Sequence, residues 1–369
     1  MTKNLQSLNR EIINRSAKGK TIWQPRICCW FDDRVFRGEE LPDKYKGCDH
    51  KGIYEKIGCS DRLYNFNECL EATLDDSIKL TVTEINNLRY ETTIQTPVGT
   101  VNSIFARNTQ NPGVMPIKWF IEEEKDLLVY SYIEEGTTYK FNNEKYDELN
   151  REMGHLGLPA MFIPRVNLQK LYIELSGVIN STYLLNDSQE AVENYFKALS
   201  KSQEKMVKVI ANSPLEWINY GDNIHSKLSP PSLFEKYILP EYELRGDLLH
   251  RAGKFVYSHW DGDVKELLPY AKSCFLDGIE AITPIPQGDV TLKEVKAALG
   301  DDIFLIDGIA SILFNETYPL SELEKQTKEV LNLFEGQLIL GISDEFPSDG
   351  KLNRIEFVNN IVDEFNSIR

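Results

Sequence analysis

An imidazole and a carboxylate stand two residues apart in Ser258-His259-Trp260-Asp261-Gly262. On an extended strand, period-two geometry points both side chains the same way, so they could hold one ion or share one proton. Glu280 and Asp344 close two further apolar runs, Gly278-Ile279-Glu280-Ala281-Ile282 and Gly341-Ile342-Ser343-Asp344. His259, Asp261, Glu280 and Asp344 converging on one rim would suit zinc: an N/O ligand set with one position open for substrate. The plainer alternative has His259 in a rim hydrogen bond and the acids capping the helices that follow. His259 stands out among the five histidines because it sits at a strand end with an acid beside it. His155 and His225 read as loop hydrogen-bonders, and His50 and His250 as surface or packing residues. Asp222 and Asn223 end another run and suit either substrate binding or a helix cap. Trp260 and Tyr257, flanking His259, are candidates for an apolar, aromatic substrate wall.

Such groups meet only if the elements bearing them are parallel. Short apolar runs recur at Glu216–Asp222, Lys254–His259, Gly278–Ile282, Ile303–Gly308 and Leu338–Asp344. Each has the length and composition of a strand buried on both faces. Helical stretches alternate with them at Ser229–Arg251, Val264–Phe275, Leu292–Leu299 and Leu320–Phe334. Strand and helix in alternation mean βα units and a parallel sheet. The polar residues, Asp307 among them, sit at the carboxyl ends of the runs, where a β/α barrel gathers its active site. No glycine-rich phosphate loop of the open doubly wound kind is present. The expected fold is therefore α/β, a (β/α)8 TIM-type barrel over residues 116–369. Residues 1–115 form an N-terminal extension packed on it, with an antiparallel hairpin of Arg89–Thr96, a Pro97-Val98-Gly99 turn and Thr100–Phe105.

Composition bounds the partners. The chain has 369 residues, 41% of them hydrophobic, enough for a substantial core. Fifty-seven acids against 41 bases leave a formal charge of -16, which argues against nucleic acid and against an anionic membrane face. The polar start and the lack of a long apolar run lead to the expectation of a cytoplasmic protein with no membrane contact. Six cysteines, at 28, 29, 48, 59, 69 and 274, show no C-x-x-C spacing and read as free thiols. Cys48-Asp49-His50 is a weak metal cluster without a second pair.

Over about residues 210–369 the chain resembles the uroporphyrinogen decarboxylase superfamily, which includes cobalamin-dependent methyltransferases. The likeness rests on the Asp222 strand and the helix after it, His259-Trp260-Asp261-Gly262, Gly278-Ile279-Glu280-Ala281-Ile282-Thr283-Pro284, Gly288-Asp289 and Gly341-Ile342-Ser343-Asp344. In the decarboxylase branch an arginine-rich segment holds a polycarboxylate. Here the corresponding Pro25–Arg34 stretch sets two arginines beside two aspartates, a poor match. In the methyltransferase branch, a His-x-Cys zinc pair is matched by His259-x-Asp261, and a later cysteine by Ser343-Asp344. Oxygen in place of sulfur implies a harder, more Lewis-acidic zinc site, suited to an oxygen leaving group. The resemblance thus implies a zinc enzyme of the aryl O-demethylase kind. Its methyl donor would be a methoxylated aromatic, and its acceptor the cobalamin of a separate corrinoid protein. Three alternatives stay open: a metal-free relative acting on a quaternary amine, a decarboxylase, and a barrel kept as a binding module.

Overall fold

The C-terminal apolar runs fold as a parallel sheet because each is covered on both faces. The computed structural model describes residues 4–62 and 65–369. Its strands are β1 (Ile22–Trp23), β2 (Leu70–Thr73), β3 (Lys79–Asn86), β4 (Arg89–Thr96), β5 (Gly99–Arg107), β6 (Val114–Lys118), β7 (Thr138–Phe141), β8 (Ala160–Ile163), β9 (Trp217–Ile224), β10 (Phe255–Trp260), β11 (Gly278–Glu280), β12 (Phe304–Ala310) and β13 (Leu338–Ser343). Seven of them form one parallel sheet in the order β1-β13-β12-β11-β10-β9-β8. Every residue of β10, β11, β12 and β13 is buried.

The eight regular strands expected are therefore seven. The segment Cys59–Arg62 lies alongside β1: Ser60 N–H donates to the Trp23 carbonyl at 2.8 Å, and Asp61 N–H to the Leu156 carbonyl at 3.1 Å. It bridges β1 to the approach of β8 without forming a ladder of its own. β1 and this segment both come from residues 1–115, so the N-terminal part supplies pieces of the barrel wall. Beside three helices, Leu5–Ile13, Cys28–Arg37 and His50–Ile57, and β2, which pairs with β7, that part contributes most of a four-stranded antiparallel sheet, β3-β4-β5-β6. Within it Arg89–Thr96 pairs with Gly99–Arg107, from Arg89 opposite Ala106 to Thr96 opposite Gly99. This sheet runs through residue 115 into β6.

Local chemistry explains the helices. Leu292–Leu299 starts at a reciprocal capping box between Thr291 and Glu294. The expected helix Ser229–Arg251 is interrupted by a wide turn at Phe234–Ile238 before continuing as Leu239–Arg251. Pro240 lacks an N–H, and its ring collides with the carbonyl four residues back, which widens the turn there. Val264–Phe275 is not an α-helix. It carries only a 3₁₀ turn, Leu268–Ser273, with Pro269 in its first turn. Leu352–Ser367 follows β13, and its Ile355 carbonyl accepts the Trp23 indole N–H at 3.2 Å. Among the described residues no helix is long and apolar enough to cross a membrane.

Candidate active site

Strand alternation sorts the rim residues into two faces. On β10, Tyr257 and His259 point into the barrel, while Ser258 and Trp260 point toward the helical layer. Trp260 packs edge-on against Phe234 at 5.7 Å, fully buried between strand and helix, so it does not line the mouth. Tyr257 stacks obliquely on Trp217 at 5.1 Å and is also fully buried, forming the barrel floor beneath His259. Asp222 lies on the helix side as well. Its Oδ1 accepts from Val166 N–H at 2.9 Å and its Oδ2 from the Tyr242 hydroxyl at 2.8 Å. Tyr242 in turn meets Ser258 Oγ at 2.7 Å. Burial pushes Asp222 above the usual carboxylate range, with Arg245 opposing. Asp222 thus ties β9 to the helix Leu239–Arg251. Asn223 is half-buried, and its N–H donates to Gln169 Oε1 at 3.2 Å.

The inward face carries a line of alternating charges. His259 Nδ1 lies 2.9 Å from Glu280 Oε1, which also accepts from Asn219 Nδ2 at 2.7 Å. Arg62 Nη1 stands 3.1 Å from Glu280 Oε2, and Arg62 Nη2 donates to Asp307 Oδ1 at 2.6 Å. At the open end, His259 Nε2 faces Asp344 Oδ1 at 3.8 Å. Arg62, Glu280 and Asp307 are completely shielded from solvent, whereas the Asp344 side chain is 43% exposed. The order is Asp307, Arg62, Glu280, His259, Asp344, from the interior to the mouth.

Electrostatics follow from that order. Burial alone would raise Glu280, but Arg62 and the His259 hydrogen bond hold it well below the usual carboxylate range. Burial pulls His259 down, and the hydrogen bond and charge of Glu280 outweigh it, leaving the imidazole above its ordinary value. Burial raises Asp307 to about 6 despite Arg62. Burial also raises Asp344, opposed by His259 and Arg26 and reinforced by Asp261.

The backbone is specialised at the same place. Ala281 and Asp344, directly after β11 and β13, and Asp307, inside β12, have φ of 65°, 71° and 82°. Left-handed non-glycine residues cost about 1–3 kcal/mol each and persist where surroundings over-determine them. Gly341 is required next to them, because a Cβ there would fall 2.1 Å from Asp307 Oδ1.

These contacts divide the four expected metal ligands. His259 Nε2 and Asp344 Oδ1 face each other a little wider than the ~3.3 Å separating two ligand atoms of tetrahedral zinc. Asp261 is half-buried, and its charge reaches Asp344. Glu280 Oε1 already meets His259 and Asn219, and Oε2 is paired with the Arg62 charge, so Glu280 stands behind His259 as its orienting partner. His259 and Asp344 thus present two facing donor atoms, and among the described residues they form no group of three donors within 4.8 Å with Asp261 or Glu280.

Among the described residues, three donor atoms within 4.8 Å of one another come instead from Cys28, Cys29 and Glu345. Cys48-Asp49-His50 is not such a group: Asp49 caps its helix through Gly52 N–H, and His50 Nδ1 lies 3.9 Å from Asp61. His225 accepts from Lys227 N–H at 3.1 Å, and His250 pairs with Asp277 at 2.9 Å. Arg62, Asn219 and Glu345 were invisible to the search for polar residues ending apolar runs. Arg62 lies in an irregular segment, Asn219 sits inside a strand, and Glu345 falls one residue past the run.

No family model matches the sequence, and no curated protein matches it. Among solved structures, the chain is similar to a methyltransferase from Methanosarcina mazei. The TM-score is 0.51 at 12% identity, covering 71% of this chain and 75% of that one. A B12-independent methionine synthase from Shewanella sp. W3-18-1, in complex with selenomethionine, is 11% identical over 85% of each chain, with a TM-score of 0.42. The likeness is one of fold. The Methanosarcina match supports the α/β barrel architecture and, at that identity, nothing finer.

Proposed function

We propose that this chain is a methyltransferase that takes the methyl group of a phenyl methyl ether and delivers it to the cobalamin of a separate corrinoid protein. The observation that carries the reading is the His259 imidazole, held through Nδ1 by a buried, charge-compensated carboxylate with Nε2 turned to the barrel mouth. Zinc held by His259 and Asp344, with Asp261 beside them, would supply Lewis acidity toward the ether oxygen. The partner's cobalamin would supply the nucleophile for the methyl group, and the phenyl oxygen would keep the electron pair of the broken C–O bond.

The protein's own groups hold that geometry. Glu280 Oε1 accepts a hydrogen bond from the His259 Nδ1–H and thereby favours the tautomer that leaves the Nε2 lone pair outward. Asn219 and Arg62 hold Glu280 in turn, and Asp307 holds Arg62. Tyr257 and Trp217 close the floor against water. Asp222, Asn223 and Trp260, the other expected substrate contacts, support the strand-to-helix packing behind this face. The decarboxylase alternative loses support from the arginines: Arg26 pairs with Glu345 at 2.6 Å and Arg34 with Glu39 at 2.7 Å. Neither is left to receive a polycarboxylate.

Zinc content and methyl transfer from a methoxyphenol to free cob(I)alamin test the reading together. His259→Ala should lose one equivalent of zinc and the transfer activity. Unchanged zinc in that variant, or full transfer by metal-free wild-type protein, would overturn it. Calorimetry separates the quaternary-amine reading, which requires a trimethylammonium compound to bind more tightly than the methoxyphenol.

A further inference from the structure

The helix Cys28–Arg37 begins four residues beyond β1, and its first two positions are both cysteine. Cys28 Sγ lies 3.9 Å from Glu345 Oε2, and the donor atoms of Cys28, Cys29 and Glu345 all fall within 4.8 Å of one another. Cys28 is half-buried and Cys29 exposed. The other oxygen of Glu345, Oε1, accepts from Arg26 Nη2 at 2.6 Å, which turns Oε2 toward the sulfur. Adjacent residues stand about 3.8 Å apart at Cα, below the usual range for a disulfide, so the pair is poorly disposed to oxidise to one.

We propose that Cys28, Cys29 and Glu345 bind a thiophilic divalent cation of the zinc class, at a site separate from His259. Two sulfurs and one oxygen make three ligands, with a fourth position open toward solvent on the Cys29 side. Tetrahedral zinc needs S···S near ~3.8 Å and S···O near ~3.5 Å, so side-chain rotations of a few tenths of an ångström to about one close the site. Ligation requires both thiols to give up their protons to solvent as the cation binds. Arg26 offsets part of the negative charge and orients Glu345 as an outer partner orients a ligand. Glu345 directly follows Asp344, which faces His259, so the site lies at the same end of the sheet. The proposal does not rest on the methyl-transfer reading.

The test is Co2+ titration of the whole chain under a phosphine reductant, read by thiolate-to-cobalt charge-transfer absorption. Wild-type protein should develop the band with one equivalent. Cys28→Ser and Cys29→Ser should lose it, His259→Ala should keep it, and Glu345→Gln should weaken binding about ten-fold. Far-UV circular dichroism checks that each variant is folded. A measurement free of substitutions accompanies it: Zn2+ should protect Cys28 and Cys29 from alkylation, mapped by mass spectrometry, while half-buried Cys48 reacts as before. No sulfur band in reduced wild-type protein, a band that survives both cysteine replacements, or a band lost in folded His259→Ala would overturn the proposal. So would alkylation of the pair that Zn2+ does not slow.

Discussion

Removing Arg62 should be among the most damaging single changes in this barrel, and the structure gives the size and the pH dependence of the damage. Its guanidinium is fully shielded and lies 3.1 Å from Glu280 and 2.6 Å from Asp307, both themselves shielded. At an effective dielectric near 20, each contact at about 3 Å carries roughly 5–6 kcal/mol of attraction. The desolvation of Arg62 offsets several kcal/mol of that. Arg62→Met, which keeps the packing volume, regains the desolvation but strands two buried carboxylates, so a net loss of about 3–5 kcal/mol is expected near neutral pH. The sign with pH follows from linkage. Without Arg62 the folded-state pKa values of Glu280 and Asp307 rise, so the variant's deficit grows from about pH 3, where both are largely protonated when unfolded, toward neutrality. Urea unfolding of wild type and variant at pH 4.5 and 7.5 reads both quantities. Adding Asp307→Asn to Arg62→Met should recover part of the loss, because the two residues are in contact. A deficit below about 1 kcal/mol at neutral pH, or one independent of pH, would refute the buried charge line.

Other consequences are read with the same tools. Because the folded pKa of His259 is raised, its stabilising contribution is complete below about 6.5 and fades as pH rises through the folded value; that of Glu280, which is lowered, is present above about 4.5 and lost on acidification. The stability gap between wild type and His259→Asn should therefore narrow from pH 6 to 9 in urea titrations, and a widening gap would contradict the pairing. Tyr242→Phe removes the donor to Asp222 Oδ2 and should cost about 1–3 kcal/mol while leaving metal content intact. Trp260→Ala should cost about 3–5 kcal/mol as a core truncation, and the surviving folded fraction should bind a methoxyphenol as wild type does. Weakened binding there would return Trp260 to the mouth of the barrel.

Much of this architecture is legible in the residue order, for a simple reason. A strand buried on both faces must be apolar throughout, so β9 to β13 announce themselves as short hydrophobic runs, and their polar termini mark the rim. His259, Glu280 and Asp344 were therefore readable as strand-end residues, whereas Asp307, inside β12, lies at the interior end of the charge line. Two-residue β1 and the Cys59–Arg62 segment were not, because neither is long enough to show a period. Their place beside β13 and β8 is set by pairing across the fold.

Residue order alone shows the alternation of strand and helix and the parallel α/β class. Tertiary structure alone decided which way each side chain faces. It sent Trp260 and Asp222 to the helical layer, set Glu280 among His259, Asn219 and Arg62, and brought Cys28, Cys29 and Glu345 together across more than 300 residues of chain. The physical reason is that strand ends converge in space without any signal along the chain. Charge compensation inside a barrel is likewise settled by whichever distant residue, here Arg62, reaches the buried carboxylates.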